Sequence, residues 1–263
     1  VVTSRSSILE TPEGGLEYLT TGSGAPHTVF AHGLAGSIPT TRPFGSGVPG
    51  THTYFHFRGH GASSSPESPW SYSYLADELD AVAAHVNATQ ALGVSMGAGA
   101  ICHLLERRPD RFERVVLALP AVLDTPRTDT ALRRLLEMAQ LADERDVDGV
   151  TELLLLEQPA EHRGSELVRR WCADQARVIV RTDVSRALRT IPHAVALHDR
   201  RSLREVSTPV LILACEDDPA HPVWVARELA EVLPNAHLEV LPPGGILWTH
   251  RARVRELLKG FLA

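Results

Sequence analysis

The sequence predicts an α/β fold: a mostly parallel sheet covered on both faces by helices, with one helical insertion. Three observations carry this. Short apolar runs that read as buried strands recur along the chain. Between them, apolar residues repeat at helical spacing. One long interval, from about Thr125 to Arg201, breaks the alternation. Strands alternating with helices require crossover connections, which build parallel sheets. Ligands in such sheets bind at the carboxyl ends of the strands.

In chain order, strands are predicted at Thr28 to Ala31 and Thr53 to Phe57, and Leu75, Leu79, Val82 and Val86 then mark one face of a helix. Ala91-Leu92 reads as a strand end, Ala98 to Leu105 as a helix, and Val115 to Leu119 as the next strand. The interval that follows carries Leu132, Leu135, Leu136 and Ala139, then Leu153 to Leu156, with no convincing strand. Strands resume at Val210 to Ala214 and Leu238 to Leu241. Val225, Leu229 and Val232 mark a helix between them, and Val254, Leu257, Leu258 and Phe261 mark a final one.

The 263 residues are 43% hydrophobic and 22% charged, which excludes disordered, collagen-like and disulfide-scaffold classes. A net charge of -6 excludes a bare electrostatic nucleic-acid binder. Three scattered cysteines, Cys102, Cys172 and Cys215, suit neither a disulfide framework nor a C-x-x-C zinc site, and a reducing compartment is the simplest expectation. No apolar stretch approaches the ~20 residues of a membrane span. The N-terminus lacks the basic-then-apolar order of a signal peptide. A cytoplasmic protein with a small-molecule substrate, and without nucleic-acid or membrane partners, is therefore expected. The sequence is silent on oligomeric state. Lys259 is the only lysine, which leaves almost no room for Schiff-base chemistry.

Gly93-Val94-Ser95-Met96-Gly97 fits G-x-S-x-G, with a strand before it and a helix after it. A sharp strand-to-helix turn forces the serine into a strained backbone, and flanking glycines avoid side-chain clashes. Ser95 Oγ then stands exposed at the sheet's edge, beside a helix N-terminus whose free N–H groups favour developing negative charge. In His32-Gly33-Leu34-Ala35-Gly36-Ser37 the glycines allow close backbone approach, and the Leu34 N–H can pair with that of Met96 as an oxyanion hole. His32 is read as organising its loop by hydrogen bonding. A third motif, Phe57-Arg58-Gly59-His60-Gly61-Ala62-Ser63, follows the next strand.

These motifs, in this order and at these spacings, resemble the α/β-hydrolase superfamily, close to its small capped esterase, lactonase and cofactor-free haloperoxidase-like branch. The resemblance covers essentially the whole chain. It implies an eight-stranded, mostly parallel sheet, a core of residues 1–124 and 202–263, and a helical cap of residues 125–201 inserted after the sixth strand. It also implies a serine nucleophile, two backbone oxyanion donors, an acid after the next-to-last strands and a histidine after the last. Serine at position 95 argues against the epoxide hydrolase and haloalkane dehalogenase branches, where aspartate is expected.

After Val210 to Ala214 comes Cys215-Glu216-Asp217-Asp218-Pro219-Ala220-His221-Pro222. In the family the acid lies three residues beyond a glycine that ends this strand. Cys215 holds that glycine's place, which selects Asp218, with Asp217 and Asp124 as alternatives. Its task is to fix the histidine tautomer and stabilise the imidazolium. After the last strand the family carries glycine then histidine, but this chain has Gly245 then Ile246. Isoleucine cannot accept a proton. His250, four residues on, is the nearest candidate base, or else a histidine at the start of the final helix with Thr249 as its cap. His221 is the rival, since it shares a loop with Asp218. No pair of histidines has a metal-site spacing, and nothing indicates a cofactor. Trp70, Trp171, Trp224 and Trp248 are candidates for lining a pocket.

The expected function is a serine hydrolase acting on a small, largely apolar ester, thioester or lactone. Ser95 attacks, Leu34 and Met96 hold the oxyanion, and His250 oriented by Asp218 moves the proton. The alternative is a degenerate, ligand-binding protein that lost its base at position 246.

Overall fold

A computed structural model describes residues 5–263 of the chain. A hairpin of β1 (Ser7–Thr11) and β2 (Gly14–Gly22) comes first, followed by β3 (His27–Ala31), the single turn α1 (Ile38–Thr41) and β4 (Thr51–Phe55). Next come α2 (Tyr72–His85), β5 (Gln90–Val94), α3 (Met96–Arg107) and β6 (Arg114–Ala118). Four helices intervene before the sheet resumes: α4 (Thr130–Asp143), α5 (Val147–Leu156), α6 (Glu166–Ile179) and α7 (Val184–Thr190). The chain closes with β7 (Val210–Cys215), α8 (Val223–Val232), β8 (Ala236–Leu241) and α9 (Arg251–Phe261).

Among the described residues the eight strands form one sheet in the order β1-β2-β4-β3-β5-β6-β7-β8. From β4 to β8 every neighbouring pair is parallel, and only the β1–β2 and β2–β4 pairs are antiparallel. The leading hairpin is the element that apolar pattern missed. Its β1 is largely exposed and carries Ser7, Glu10 and Thr11, so no continuous apolar run marks it.

Alternation along the parallel strands divides the core. Val29, Ala31, Val115, Leu117 and Ile212 face α2, α3 and α8. Phe30, Val116, Leu211 and Leu213 face the other way, onto α9 through Val254 and Leu258. Residues buried on both faces of a sheet read as unbroken apolar runs, which is why these strands stand out in the sequence. The second of them ends sooner than its apolar run. Pairing between β3 and β4 stops at Ala31↔Phe55, because β3 turns away into the His32-Gly33 loop; beyond it the His56 N–H donates to Glu17 O of β2 at 2.8 Å and the Phe57 N–H to His32 Nε2 at 3.1 Å.

Helices α4 to α7 have a core of their own, including Met138, Val150, Leu153, Ile179 and Leu188, and Leu34 and Ala35 pack against it. The helical segment between β6 and β7 thus rests on the loop after β3, at the carboxyl edge of the sheet. Among the described residues, no helix is long and apolar enough to cross a membrane.

Candidate active site

The carboxyl ends of β3, β5, β6, β7 and β8 converge under the helical segment. Ser95 links β5 to α3 with φ 51° and ψ -109°, a positive φ that costs a non-glycine residue roughly 1–3 kcal/mol and needs rigid surroundings. Those surroundings are close-packed backbone. A Cβ on Gly93 would lie 2.4 Å from the Gly97 carbonyl oxygen, and one on Gly97 would lie 2.4 Å from that of Ala31. Two further bonds anchor the turn: the Ser95 N–H donates to Ala118 O at 2.9 Å, and the Gly99 N–H donates to Ser95 O at 3.0 Å.

Ser95 Oγ lies 2.9 Å from Nε2 of His221, and His221 Nδ1 lies 2.9 Å from Oδ1 of Asp218. An ionised carboxylate only accepts, so Nδ1 carries the proton and donates to Asp218, leaving the Nε2 lone pair to accept from the Ser95 hydroxyl. Asp218 Oδ1 also accepts the backbone N–H groups of Ala220 (2.9 Å) and His221 (3.0 Å). Burial works to raise the Asp218 pKa, but His221 and these amide bonds outweigh it, and the carboxyl is held below its ordinary value of 3.8.

The histidine beside the serine is therefore His221, and the expectation of His250 is corrected. His250 begins α9, its Nε2 lies 3.0 Å from Pro243 O, and it is not among the residues that line the cavity. The reason is the path of the chain after β8. Gly245–Thr249 winds into a π-helical turn, with Gly244 and Gly245 at φ 125° and 76°, and this carries the chain into α9. Thr249 does not cap α9; its Oγ1 lies 2.8 Å from His162 Nε2. Ile246 is 4% exposed and fills an apolar cluster with Leu213, Cys215 and Val254. From the sequence His221 is only a rival base that shares a loop with Asp218; its place three residues beyond that aspartate, between Pro219 and Pro222 at the end of a buried strand, is the signal that could have selected it.

The alternative acids lie apart. Asp124 accepts from Arg200 through both backbone N–H (3.0 Å) and Nε (2.8 Å), while Asp217 is exposed at φ 57°. Leu34 and Met96 line the cavity beside Ser95, and among the described residues neither backbone N–H donates to another loop or side-chain group. Gly33 brings the first of these loops against the serine: a Cβ there would lie 3.3 Å from Ser95 Cβ. His32 is buried with both ring nitrogens engaged, Nδ1 donating to Gly33 O at 2.7 Å and Nε2 accepting from the Phe57 N–H at 3.1 Å.

No residue of the motif Phe57 to Ser63 lines the cavity. Arg58, 1% exposed, instead pairs with Glu78 of α2, and its Nη1 donates to Ser68 Oγ at 2.9 Å. His60 is buried, with Nδ1 donating to Arg58 O at 2.9 Å, and burial pushes its pKa down to about 4.

The cavity over Ser95 measures about 640 Å³ and is walled mainly by apolar side chains, among them Tyr72, Met138, Leu154, Trp171, Leu188 and Trp248. Of the four tryptophans, Trp171 and Trp248 line it, meeting edge to face at 5.8 Å, whereas Trp70 is buried elsewhere and Trp224 is 53% exposed. Cys215 also faces it, but burial raises its thiol pKa and Sγ donates to Pro242 O at 3.1 Å.

Among the described residues one group, His103, Glu106 and His198, gathers metal-ligand atoms within 4.8 Å of one another. Several of its polar atoms are already engaged: His198 Nδ1 donates to Glu106 Oε2 (2.8 Å), His103 Nδ1 donates to Ala196 O (2.9 Å), and Glu106 Oε1 accepts the Asp199 N–H (3.3 Å). These bonds fasten the segment after α7 to α3.

The comparisons with known proteins agree with the fold. Residues 28–257 match the alpha/beta hydrolase family. A 3-oxoadipate enol-lactonase of Acinetobacter baylyi is 29% identical over 190 residues, covering 70% of this chain and 67% of its own length. Among solved structures, an esterase from Exiguobacterium antarcticum superposes with a TM-score of 0.80 at 20% identity, covering 98% of this chain and 99% of that one. The enol-lactonase from Burkholderia xenovorans gives 0.79 at 21% identity, with 97% and 99% covered. On sequence, sheet order and the turn that carries Ser95, the chain belongs to the alpha/beta hydrolase family and is a hydrolase enzyme.

Proposed function

We propose that the protein is a serine hydrolase that cleaves a small, largely apolar ester, thioester or lactone through an acyl-enzyme on Ser95, with His221 as base and Asp218 as its orienting acid. The observation that carries this reading is the chain of two 2.9 Å contacts from Ser95 Oγ through His221 to Asp218. As Oγ attacks the acyl carbon, its proton passes to His221 Nε2, and the imidazolium is stabilised by Asp218. The oxyanion that forms is held by the N–H groups of Leu34 and Met96, the latter aided by the positive end of α3. Collapse of the tetrahedral intermediate breaks the bond to the leaving oxygen or sulfur, which takes the proton from Nε2. Water then repeats the sequence on the acyl-enzyme and regenerates the Ser95 hydroxyl. Helices α4 to α7 act as the cap, excluding water and setting substrate shape, and the apolar cavity wall is the basis for an apolar acyl or alcohol group.

The reading of a degenerate binder rested on the isoleucine at position 246. His221 supplies the missing proton acceptor from a different loop, so that motive is gone. Pre-steady-state hydrolysis of p-nitrophenyl butyrate tests the proposal. A burst of about one nitrophenolate per chain, absent in Ser95→Ala, is expected. Equal turnover by Ser95→Ala would refute it.

A further inference from the structure

We infer that Arg127, at the entrance to the helical segment, is a positioning residue for the base, and that the cap thereby holds His221 in register with Ser95. The inference rests on the proposed roles of Ser95, His221 and Asp218. It starts from the one peptide unit that decides where the His221 ring goes, the link between Ala220 and His221. The N–H of that unit donates to Asp218 Oδ1 at 3.0 Å. Its carbonyl, Ala220 O, accepts from Arg127 Nη2 at 2.8 Å. The plane is thus gripped on both edges, by the acid of the same loop and by a side chain 93 residues away in sequence.

Arg127 is itself fixed. Its side chain is 8% exposed, Nη2 also donates to Asp129 Oδ2 at 2.8 Å, and Nε reaches both Asp129 oxygens at 3.3 Å. Asp129 in turn caps α4 by accepting the Leu132 N–H at 3.0 Å. A continuous path therefore runs from the first helix of the cap, through Asp129 and Arg127, to the peptide that carries the base. This matters more here than where a base histidine follows the last strand. His221 stands in a loop only three residues beyond its acid, between Pro219 and Pro222, whose rings supply no N–H to hold the loop. Releasing Ala220 O frees the plane to rotate, which swings the imidazole away from a serine 2.9 Å distant. Misplacement by about 1 Å costs on the order of 100-fold in rate.

The test compares the parent, Arg127→Ala and Arg127→Lys by p-nitrophenyl butyrate kinetics and by the rate of Ser95 labelling with a fluorophosphonate, with circular dichroism as the check on folding. Lysine can still donate to Ala220 O but cannot fork onto Asp129, so the expected order is parent, then Lys, then Ala. The alanine variant should lose about 10- to 100-fold in kcat and in labelling rate, with KM within about twofold of the parent. A raised KM with unchanged kcat and labelling would make Arg127 a mere wall of the substrate cavity and overturn the inference. If the alanine variant does not fold, the lysine variant decides: slower labelling at unchanged KM supports the role, and parental labelling removes it. A parent that neither turns over nor labels would overturn the serine hydrolase reading itself. A reactive parent with equally reactive Arg127 variants would overturn only this inference.

Discussion

At the level of single residues, reactivity turns on which imidazole meets Ser95. His221 Nε2 lies within hydrogen-bond distance of the serine, and His250 is engaged with Pro243 O at the start of α9. His221→Ala should therefore lower kcat for p-nitrophenyl butyrate by about 10⁴- to 10⁶-fold. His250→Ala should stay within about threefold of the parent. Ile246→His offers a second check. Ile246 is packed among Leu213, Cys215 and Val254, so a polar ring there loses apolar contacts, and the variant should lose stability without gaining activity. A large gain in activity would point back to a base at position 246. The turn around Ser95 was legible in the sequence because its chemistry is local: a strand, two glycines at fixed distance and a helix. The base was not. Whether His221 or His250 faces the serine depends on how two loops from neighbouring strands pack, and a π-helical turn over Gly245–Thr249 has no pattern strong enough to be read in advance.

At the level of elements, β5, β3 and α3 are pressed together tightly enough to hold Ser95 at positive φ. A Cβ on Gly97 would meet backbone oxygens of Ala31 at 2.4 Å and His32 at 2.8 Å, and neither can move without shifting β3 and its loop. Gly97→Ala is expected to cost about 1–3 kcal/mol by overpacking, measured by urea denaturation, and to depress activity further by displacing Leu34 relative to Ser95. Full activity at parental stability would show that this packing is softer than the distances imply. The central parallel strands could be read because residues buried on both faces form apolar runs, and the helix faces could be read from spacings such as Leu75, Leu79 and Val82. The β1–β2 hairpin could not, because one polar, exposed strand at a sheet edge looks like a loop.

Over the whole molecule, the histidines that pack rather than react set a pH dependence of stability. His32, His56 and His60 are buried, and burial holds each below the ordinary imidazole value of 6.5, His60 at about 4. Between those limits the unfolded chain takes up protons that the native state refuses, so stability falls as pH drops from about 6.5 to about 4. His60 alone contributes a loss on the order of 3 kcal/mol across that window. Asp218 and Glu17, held below their ordinary values, add to the loss at still lower pH. Thermal unfolding should show a lower Tm at pH 5 than at pH 7.5. His60→Asn, whose amide can still donate to Arg58 O, should flatten that difference; a Tm that is equal or higher at pH 5 would contradict the burial argument.

In the proposed mechanism His221, and no other imidazole, activates Ser95. The most direct measurement is the second-order rate of covalent labelling by a fluorophosphonate, followed by intact-protein mass, in the parent, His221→Ala and His250→Ala. One adduct on Ser95 is expected, with the rate falling by about 10³-fold or more in His221→Ala and unchanged in His250→Ala. Parental labelling of His221→Ala, or loss of labelling in His250→Ala, would rule out His221 as the group that activates Ser95.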